Sequence, residues 1–276
     1  MARIDLPESR LRLRKRRRRV RTTVVLLVSS LFLLSSAVGL TYLPALQINT
    51  VVVSGAQTVS SSTIEQFVRE RLAGSYGHIL PKSDIFLYPK RDISAALKAE
   101  YPLLASAEVY AVDFHTIAVA LVERSPRALW CPSSSSTYLS QGSCYFMDEN
   151  GVIYAEAPHF SEPVYTSYRG PSESVTLPRQ YLQPGEFLSL SALVDAIMQK
   201  ISAERLEEVE VDAQSDVRMR FADGCVLIFA LHDEGGDVFE RFSLALQSAP
   251  FAGQKLSQFE YLDLRFGDKL YYKENK

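Results

Sequence analysis

The four histidines are the residues whose spacing tests most directly for a metal site or a catalytic base. They are far apart in the sequence: His78, His115, His159 and His232. Zinc sites place histidines or cysteines only a few residues from one another, and no such pairing occurs here. The chain also lacks the Gly-x-Ser-x-Gly turn of hydrolases, a Walker loop and a Gly-x-Gly-x-x-Gly fingerprint. The sequence therefore predicts a protein without enzymatic activity, metal, cofactor or small-molecule substrate.

Charge is distributed unevenly along the chain. Residues 1–21 carry ten Lys or Arg and two Asp or Glu, a net charge of +8, and the rest carries twenty and thirty, a net charge of −10. The next 22 residues, Thr22–Leu43, are uncharged, and about 20 apolar residues span a bilayer as a helix. Because basic clusters beside a span stay in the cytoplasm, we predict a basic cytoplasmic tail at 1–21, a transmembrane helix at 22–43 and extracytoplasmic domains after it.

Two other interpretations of this N-terminal region remain open. The basic run could be a nucleic-acid-binding arm, although the apolar stretch that follows favours a topology signal and predicts no nucleic acid partner. The apolar stretch could also be a signal peptide cleaved near Ala37 and Gly39. Its continuation to Leu43 favours an uncleaved anchor.

The chain has three cysteines, Cys131, Cys144 and Cys225. An extracytoplasmic location permits a disulfide, and Cys131 and Cys144 flank a Ser-rich loop, "PSSSSTYLSQGS", between two strand-like segments. A Cys131–Cys144 bridge across this loop would contribute about 3 kcal/mol in the chain-entropy treatment. The alternative is a pair of small buried thiols. Cys225 is predicted to be free and buried in a strand.

Residues 47–125 have the pattern of a small β-α-α-β-β module. The β-branched run Ile48–Val53 predicts the first strand. Helical spacing of apolar residues after Ser62 and after Asp92 predicts two helices, and alternating segments on either side of Asp113–His115 predict two strands.

Residues 126–276 have the pattern of a β-rich module. Asn150-Gly151 predicts a hairpin with a type I′ turn, which requires positive φ at both positions. An apolar stripe over Leu190–Ile201 predicts one helix, and Asp237 begins another. Strands on either side of Asp223-Gly224 complete a mostly antiparallel sheet with two helices, so the predicted fold class is α+β.

Five segments, in this order, resemble the FtsQ/DivIB family of bacterial cell-division proteins. They are "INTVVVSGAQTVS", "EVYAVDFHTIAVALVERSPRALW", "YFMDENGVIY", "RFADGCVLIF" and "EYLDLRFGDKLYY". The first two resemble the beginning and end of the family's POTRA module, and the other three resemble strands of its β module. The resemblance extends over nearly the whole chain from Arg10.

The resemblance implies a bitopic membrane protein at the division septum, with an FtsQ-type POTRA domain at 47–125 and an FtsQ-like β domain at 126–276. Such proteins recruit and link FtsB/DivIC-like and FtsL-like membrane proteins. The alternative from another class is a POTRA-bearing transport accessory protein that escorts polypeptides in the envelope. Transport accessories usually carry several POTRA repeats, which this sequence does not show.

The last strand-like segment, Leu262–Phe266, is the candidate partner-binding site. Its alternation predicts Leu262, Leu264 and Phe266 on the core side, with Asp263 and Arg265 facing outward. We interpret it as a terminal strand without a cover, open to strand addition by a partner; an ordinary, satisfied terminal strand is the alternative. The predicted partner-binding residues are Asp263, Leu264, Arg265, Phe266, Gly267, Leu270 and Tyr271.

Overall fold

The computed structural model describes residues 10–132, 143–170, 176–202, 204–233 and 235–275, with side chains from residue 15 onward. The fold is α+β, with one long N-terminal helix, a small sheet and a large, mostly antiparallel sheet. The chain forms two compact units, Met1–Leu97 with Ser106–Val122 and Lys98–Ala105 with Glu123–Lys276. The start of the predicted basic tail, residues 1–9, and the Ser-rich loop at 133–142 lie outside the described residues.

Helix α1 extends over Arg10–Leu40. Its segment Lys15–Leu40 is long and apolar enough to cross a membrane. The helix begins earlier than predicted because Arg and Lys are good helix formers and continue it through the basic run. It ends three residues before Leu43, where the backbone N–H groups of Thr41, Tyr42 and Leu43 bond to carbonyls three residues back and Pro44 cannot continue the hydrogen-bonding pattern.

A small three-stranded sheet with two helices follows. Its elements are β1 (Thr50–Ser54), α2 (Ser61–Leu72), α3 (Lys90–Glu100), β4 (Leu104–Ala111) and β5 (Thr116–Glu123), with a short hairpin of β2 (Ser75–Tyr76) and β3 (Leu80–Pro81) between the helices. The strand order is β1-β5-β4, with β1 parallel to β5. The hairpin was not predicted, since its two-residue strands leave no periodic signal. The core of the first unit contains Val51, Ile64, Val68, Ile93, Leu97, Ile117 and Val119.

Among the described residues, the large sheet has ten strands. They are β6 (Ala128–Trp130), β7 (Tyr145–Met147), β8 (Val152–Glu156), β9 (Ser167–Arg169), β10 (Arg179–Gln180), β11 (Leu206–Val211), β12 (Asp216–Phe221), β13 (Val226–Ala230), β14 (Phe259–Phe266) and β15 (Lys269–Glu274). Two helices accompany them, α4 (Pro184–Lys200) and α5 (Gly235–Gln247). The strand order is β10-β8-β7-β6-β9-β11-β12-β13-β14-β15. The pairs β6–β9, β9–β11 and β13–β14 are parallel, and the others are antiparallel.

The hairpin predicted at Asn150-Gly151 joins β7 to β8, but its turn is not type I′. Of these two residues only Gly151 has positive φ, at 75°. The carboxylate of Asp148 accepts hydrogen bonds from the backbone N–H groups of Asn150 and Val152, each at 2.9 Å. This side-chain cap replaces the backbone geometry that a type I′ turn would need.

The two faces of the large sheet differ in character. Helices α4 and α5 pack together, and the alternating residues Val217, Met219 and Phe221 of β12 belong to the same buried core as both helices. Arg218 and Arg220 alternate with these residues along β12, so they face the other side of the sheet. They are half-buried among charged groups. The candidate site lies on this charged face and at the sheet's C-terminal edge.

Candidate partner-binding edge

The prediction that Leu262–Phe266 is an uncovered terminal strand is wrong. Strand β14 lies between two neighbours: β13 pairs with it in parallel, and β15 pairs with it in antiparallel orientation, with Asp263 opposite Tyr271. Gly267, at φ 59°, lets the chain reverse after Phe266, a conformation that is accessible to glycine at little cost. The edge is therefore β15, which has no strand on its far side among the described residues.

A signal for this hairpin was present in the sequence. Gly267-Asp268 separates two runs of β-forming residues, and a Gly-Asp pair in that position is typical of a two-residue hairpin. Interpreting Leu262–Phe266 as terminal overlooked that Leu270–Tyr272 could pair back on it.

The predicted alternation along β14 is right for two of its three core residues. Leu262 and Leu264 are buried. Phe266 is 52% exposed, because the register between β14 and β15 shifts between Asp263 and Phe266. Such an irregularity changes which face the following side chain occupies. Phe266 thus lies on the surface instead of in the core.

Asp263 and Arg265 are not free outward charges, which corrects the second part of the prediction. Asp263 is buried, and its carboxylate accepts hydrogen bonds from Nε of Arg265 at 2.9 Å and from the Arg265 backbone N–H at 3.1 Å. The guanidinium also donates through Nη1 to Asp216 of β12. Arg265 therefore bridges two carboxylates of this sheet, and its charge is already balanced without a partner.

The pKa values of both groups reflect this pairing. Burial opposes ionisation of Asp263, but hydrogen bonds from the side chain and backbone of Arg265 outweigh it and hold the pKa of Asp263 below its usual range. Hydrogen bonding to Asp263, with a further contribution from Asp216, raises the pKa of Arg265. Both groups are charged at neutral pH.

The ion pairs continue across the charged face of the sheet. Arg218 donates to Asp212 at 2.6 Å. Arg220 contacts Glu208 at 3.1 Å and Glu210 at 3.4 Å. Charges of opposite sign thus alternate from β11 to β14. A partner that met this face would find charges that are already paired.

An aromatic surface lies beside these charges at the β14–β15 turn. The rings of Phe266 and Tyr271 meet edge to face with centroids 4.9 Å apart, and the guanidinium carbon of Arg265 lies 5.6 Å from the centroid of Phe266. Together with Tyr261 and Ile228 they line a depression of about 480 Å³. Tyr271 is 50% exposed, so two rings of this surface are open to solvent.

The other predicted apolar contact, Leu270, faces the opposite way. It packs partly against the core of the second unit. Its neighbour Tyr272 contacts the ring of Phe251, with centroids 5.0 Å apart. Of the predicted residues, the structure therefore brings Phe266 and Tyr271 together on the surface, holds Asp263 and Arg265 in an ion pair, and buries Leu264.

The edge strand β15 carries charge at both ends. Lys269 and Lys273 are exposed, and Nζ of Lys273 contacts Glu260 at 2.5 Å. Lysines on an edge discourage unspecific strand pairing. The segment between them, Leu270–Tyr272, has no charge. A partner strand could pair with its backbone if that strand carried acidic or uncharged residues opposite the flanking lysines.

The structure contains a disulfide bond between Cys131 and Cys144. It joins the residue after β6 to the residue before β7, at the ends of the Ser-rich loop. Cys225 is free and buried, and burial raises the pKa of its thiol to about 12. This thiol is therefore protonated and unreactive at neutral pH.

In the part of the chain that the structure describes, no group of three or more His, Cys, Asp or Glu side chains is placed to hold a metal ion. Comparison with known proteins adds no identity. No protein-family model matches the chain, and no curated protein matches it.

Proposed function

We propose that this chain is a non-enzymatic, single-pass scaffold protein of the FtsQ/DivIB type that links cell-division partners at the septum. The proposal combines the sequence resemblance with one structural observation. The β15 edge, which no other described strand covers, lies beside the exposed rings of Phe266 and Tyr271. Apart from the short β2–β3 hairpin, the first module has the β-α-α-β-β order that the resemblance implies for a POTRA domain. Helix α1, long and apolar enough to cross a membrane, would be the anchor.

The proposed orientation places the N-terminus in the cytoplasm and both modules outside it. The basic residues of α1 precede its apolar part, the arrangement that keeps the preceding end inside. External protease added to spheroplasts should remove residues 44–276, both modules included, and leave a short anchored fragment. Full protection in intact spheroplasts, with digestion only after lysis, would refute this orientation.

The proposed partners are FtsB/DivIC-like and FtsL-like membrane proteins, of which a segment would add as a strand to β15. Main-chain hydrogen bonds along Leu270–Tyr272 would supply affinity, and side chains on one face would supply specificity. Phe266 and Tyr271 would contact apolar partner residues. Asp263, Arg265 and Gly267 would act indirectly, since they hold the hairpin in place.

Localisation in dividing cells tests the function as a whole. A fluorescent protein fused to the N-terminus of the full chain should form midcell bands, and the native chain should co-purify with its membrane partners. The control is an unrelated single-pass protein carrying the same fusion. A uniform envelope signal without septal enrichment would contradict the division role and would favour a transport accessory that escorts polypeptides.

A further inference from the structure

The junction between α1 and the first unit is short and held by hydrogen bonds. The helix ends at Leu40, and two residues later Tyr42 donates from its hydroxyl to the carbonyl oxygen of Ile79 at 2.6 Å. The side-chain amide of Gln47 donates to the carbonyl oxygen of Thr41 at 2.9 Å. The first unit therefore begins where the apolar helix ends, without a free linker.

Two loops of the first unit are bonded directly to the segment that follows the helix. The backbone N–H of Ile85 donates to the carbonyl oxygen of Leu46 at 3.0 Å. On the other side, the carbonyl oxygen of His115 accepts from the N–H groups of Asn49 at 2.9 Å and Thr50 at 3.0 Å. These bonds hold the loop before α3 and the β4–β5 turn close to the helix end.

Each of these loops exposes a large apolar side chain next to its anchoring residue. Phe86, which follows Ile85, is 72% exposed, and Phe114, which precedes His115, is 60% exposed. Their ring centroids are 6.4 Å apart. Ile79, whose carbonyl accepts from Tyr42, is also exposed. Exposed apolar side chains that lie together, as the rings of Phe86 and Phe114 do, mark a surface that contacts a partner or a membrane.

The position of these side chains points to the membrane. From Thr22 to Leu40 the helix rises by about 28 Å, close to the roughly 30 Å thickness of the hydrocarbon core. Tyr42 would therefore lie in the polar layer where tyrosines concentrate. Leu46 follows after one 3₁₀ turn, Pro44–Leu46, which adds only about 6 Å. Because Ile85 is hydrogen-bonded to Leu46, its neighbour Phe86 would lie at nearly the same membrane depth as Tyr42.

We propose that Ile79, Phe86 and Phe114 insert into the interfacial layer of the bilayer that α1 crosses and hold the first unit against the membrane surface. This inference rests on the proposed anchor. The contact is apolar in nature, because the three inserting side chains carry no charge. The exposed carboxylate of Asp113, beside Phe114, accepts a hydrogen bond from the backbone N–H of His115 at 2.7 Å. The docking should therefore not require anionic lipid.

Spin labels on the full chain in phosphatidylcholine nanodiscs test this proposal. A single cysteine is introduced at Phe86, Phe114, Val122 or Leu31 to carry the label. The native cysteines do not compete for the label, because Cys131 and Cys144 form a disulfide and Cys225 is buried. Val122 is the matched control, because it is also apolar and is 57% exposed. It lies six residues beyond Thr116 along β5, so it is about 20 Å from the end of the strand that adjoins Phe114. Leu31 reports whether α1 is in the bilayer.

The measured quantity is the ratio of each label's collision rate with oxygen to its collision rate with a water-soluble nickel complex. This ratio should be several-fold higher for labels at Phe86 and Phe114 than for the label at Val122. The label at Leu31 should be the most protected from nickel. If Leu31 is in lipid while Phe86 and Phe114 are as accessible to nickel as Val122, the docking proposal is overturned and the anchor stands. If Leu31 is itself accessible to nickel, both the anchor and the docking are overturned.

A second measurement separates insertion from a fold effect. Phe86→Trp should retain the contact and be quenched by brominated phosphatidylcholine, whereas Val122→Trp should not. The native Trp130 is buried and provides the same background in both variants. Equal quenching at the two positions would contradict the proposal.

Discussion

Arg265 and Asp216 are 49 residues apart in sequence and are joined by a hydrogen bond from Nη1 of the guanidinium to the Asp216 carboxylate. The same guanidinium binds Asp263 on its own strand. This bridge connects β14 to β12 across β13, on the face of the sheet opposite the helices. Arg265 thus belongs to the structure of the sheet, and a substitution there acts first on stability.

We expect Arg265→Glu to lower the free energy of unfolding of the second unit by about 2 kcal/mol, because it would place three carboxylates together in a partly buried position. Trp130, the one tryptophan of the chain, is buried in that unit, so its fluorescence during urea unfolding measures the change. Lys273→Glu, a charge reversal on the exposed edge, is the control and should lower the unfolding midpoint much less, because solvent screens exposed ion pairs. Equal effects of the two substitutions would mean that the bridge does not contribute.

The lowered pKa of Asp263 predicts loss of stability in acid. Its folded-state pKa lies below the unfolded value, so its contribution is fully present above about pH 4 and is lost as the pH falls through the folded-state pKa. The urea midpoint reported by Trp130 should therefore decrease below pH 4. Asp263→Asn should flatten this decrease while lowering stability at pH 7, and an unchanged acid dependence in this variant would assign the effect to other carboxylates.

The Cys131–Cys144 bond closes a loop with a sequence separation of 13. Loop-closure entropy predicts that Cys131→Ser with Cys144→Ser lowers the free energy of unfolding by about 3 kcal/mol. The measurement is the urea midpoint of the second unit with and without reductant. Reductant should destabilise the native chain and leave the double variant unaffected. Peptide mapping without reductant should recover the 131–144 crosslink and a free Cys225.

Gly151 and Gly224 provide a matched pair for close packing at a turn. Both have positive φ, 75° and 95°, so alanine is strained at each by about 1–2 kcal/mol. A Cβ at Gly151 would lie 2.8 Å from Cγ of Phe187, whereas nothing lies within 4 Å at Gly224. Gly151→Ala should therefore cost about 1–3 kcal/mol more than Gly224→Ala. Equal unfolding midpoints would show that Phe187 can move aside.

The proposed docking edge predicts that Tyr271→Ala weakens binding of the partner ectodomain without unfolding the chain. An exposed ring at the centre of a binding surface typically contributes at least 1 kcal/mol, or about five-fold in Kd. Tyr110→Ala is the matched control, since Tyr110 is 49% exposed and lies in the first unit. Calorimetric titration of both variants, with a melting curve for each, gives the comparison. Normal binding by a folded Tyr271→Ala, Phe266→Ala double variant would exclude this edge.

The sequence by itself determined the features that depend on neighbouring residues. The uncharged stretch after the basic run predicts an apolar helix, and α1 contains that stretch as far as Leu40. The stripe from Leu190 to Ile201 predicts α4 (Pro184–Lys200), whose buried side chains include Leu190, Val194 and Ile197. Periodicity of this kind is a property of one segment and survives in any tertiary context.

Only the tertiary structure decided which strand is the edge and which charges are paired. Phe266 leaves the core because of a register shift against β15, and Arg265 is neutralised in part by a residue on β12. The turn at Gly151 likewise depends on the Asp148 side chain instead of on two left-handed residues. Pairing, register and charge compensation join segments that are distant in sequence, so one segment's pattern cannot specify its partner.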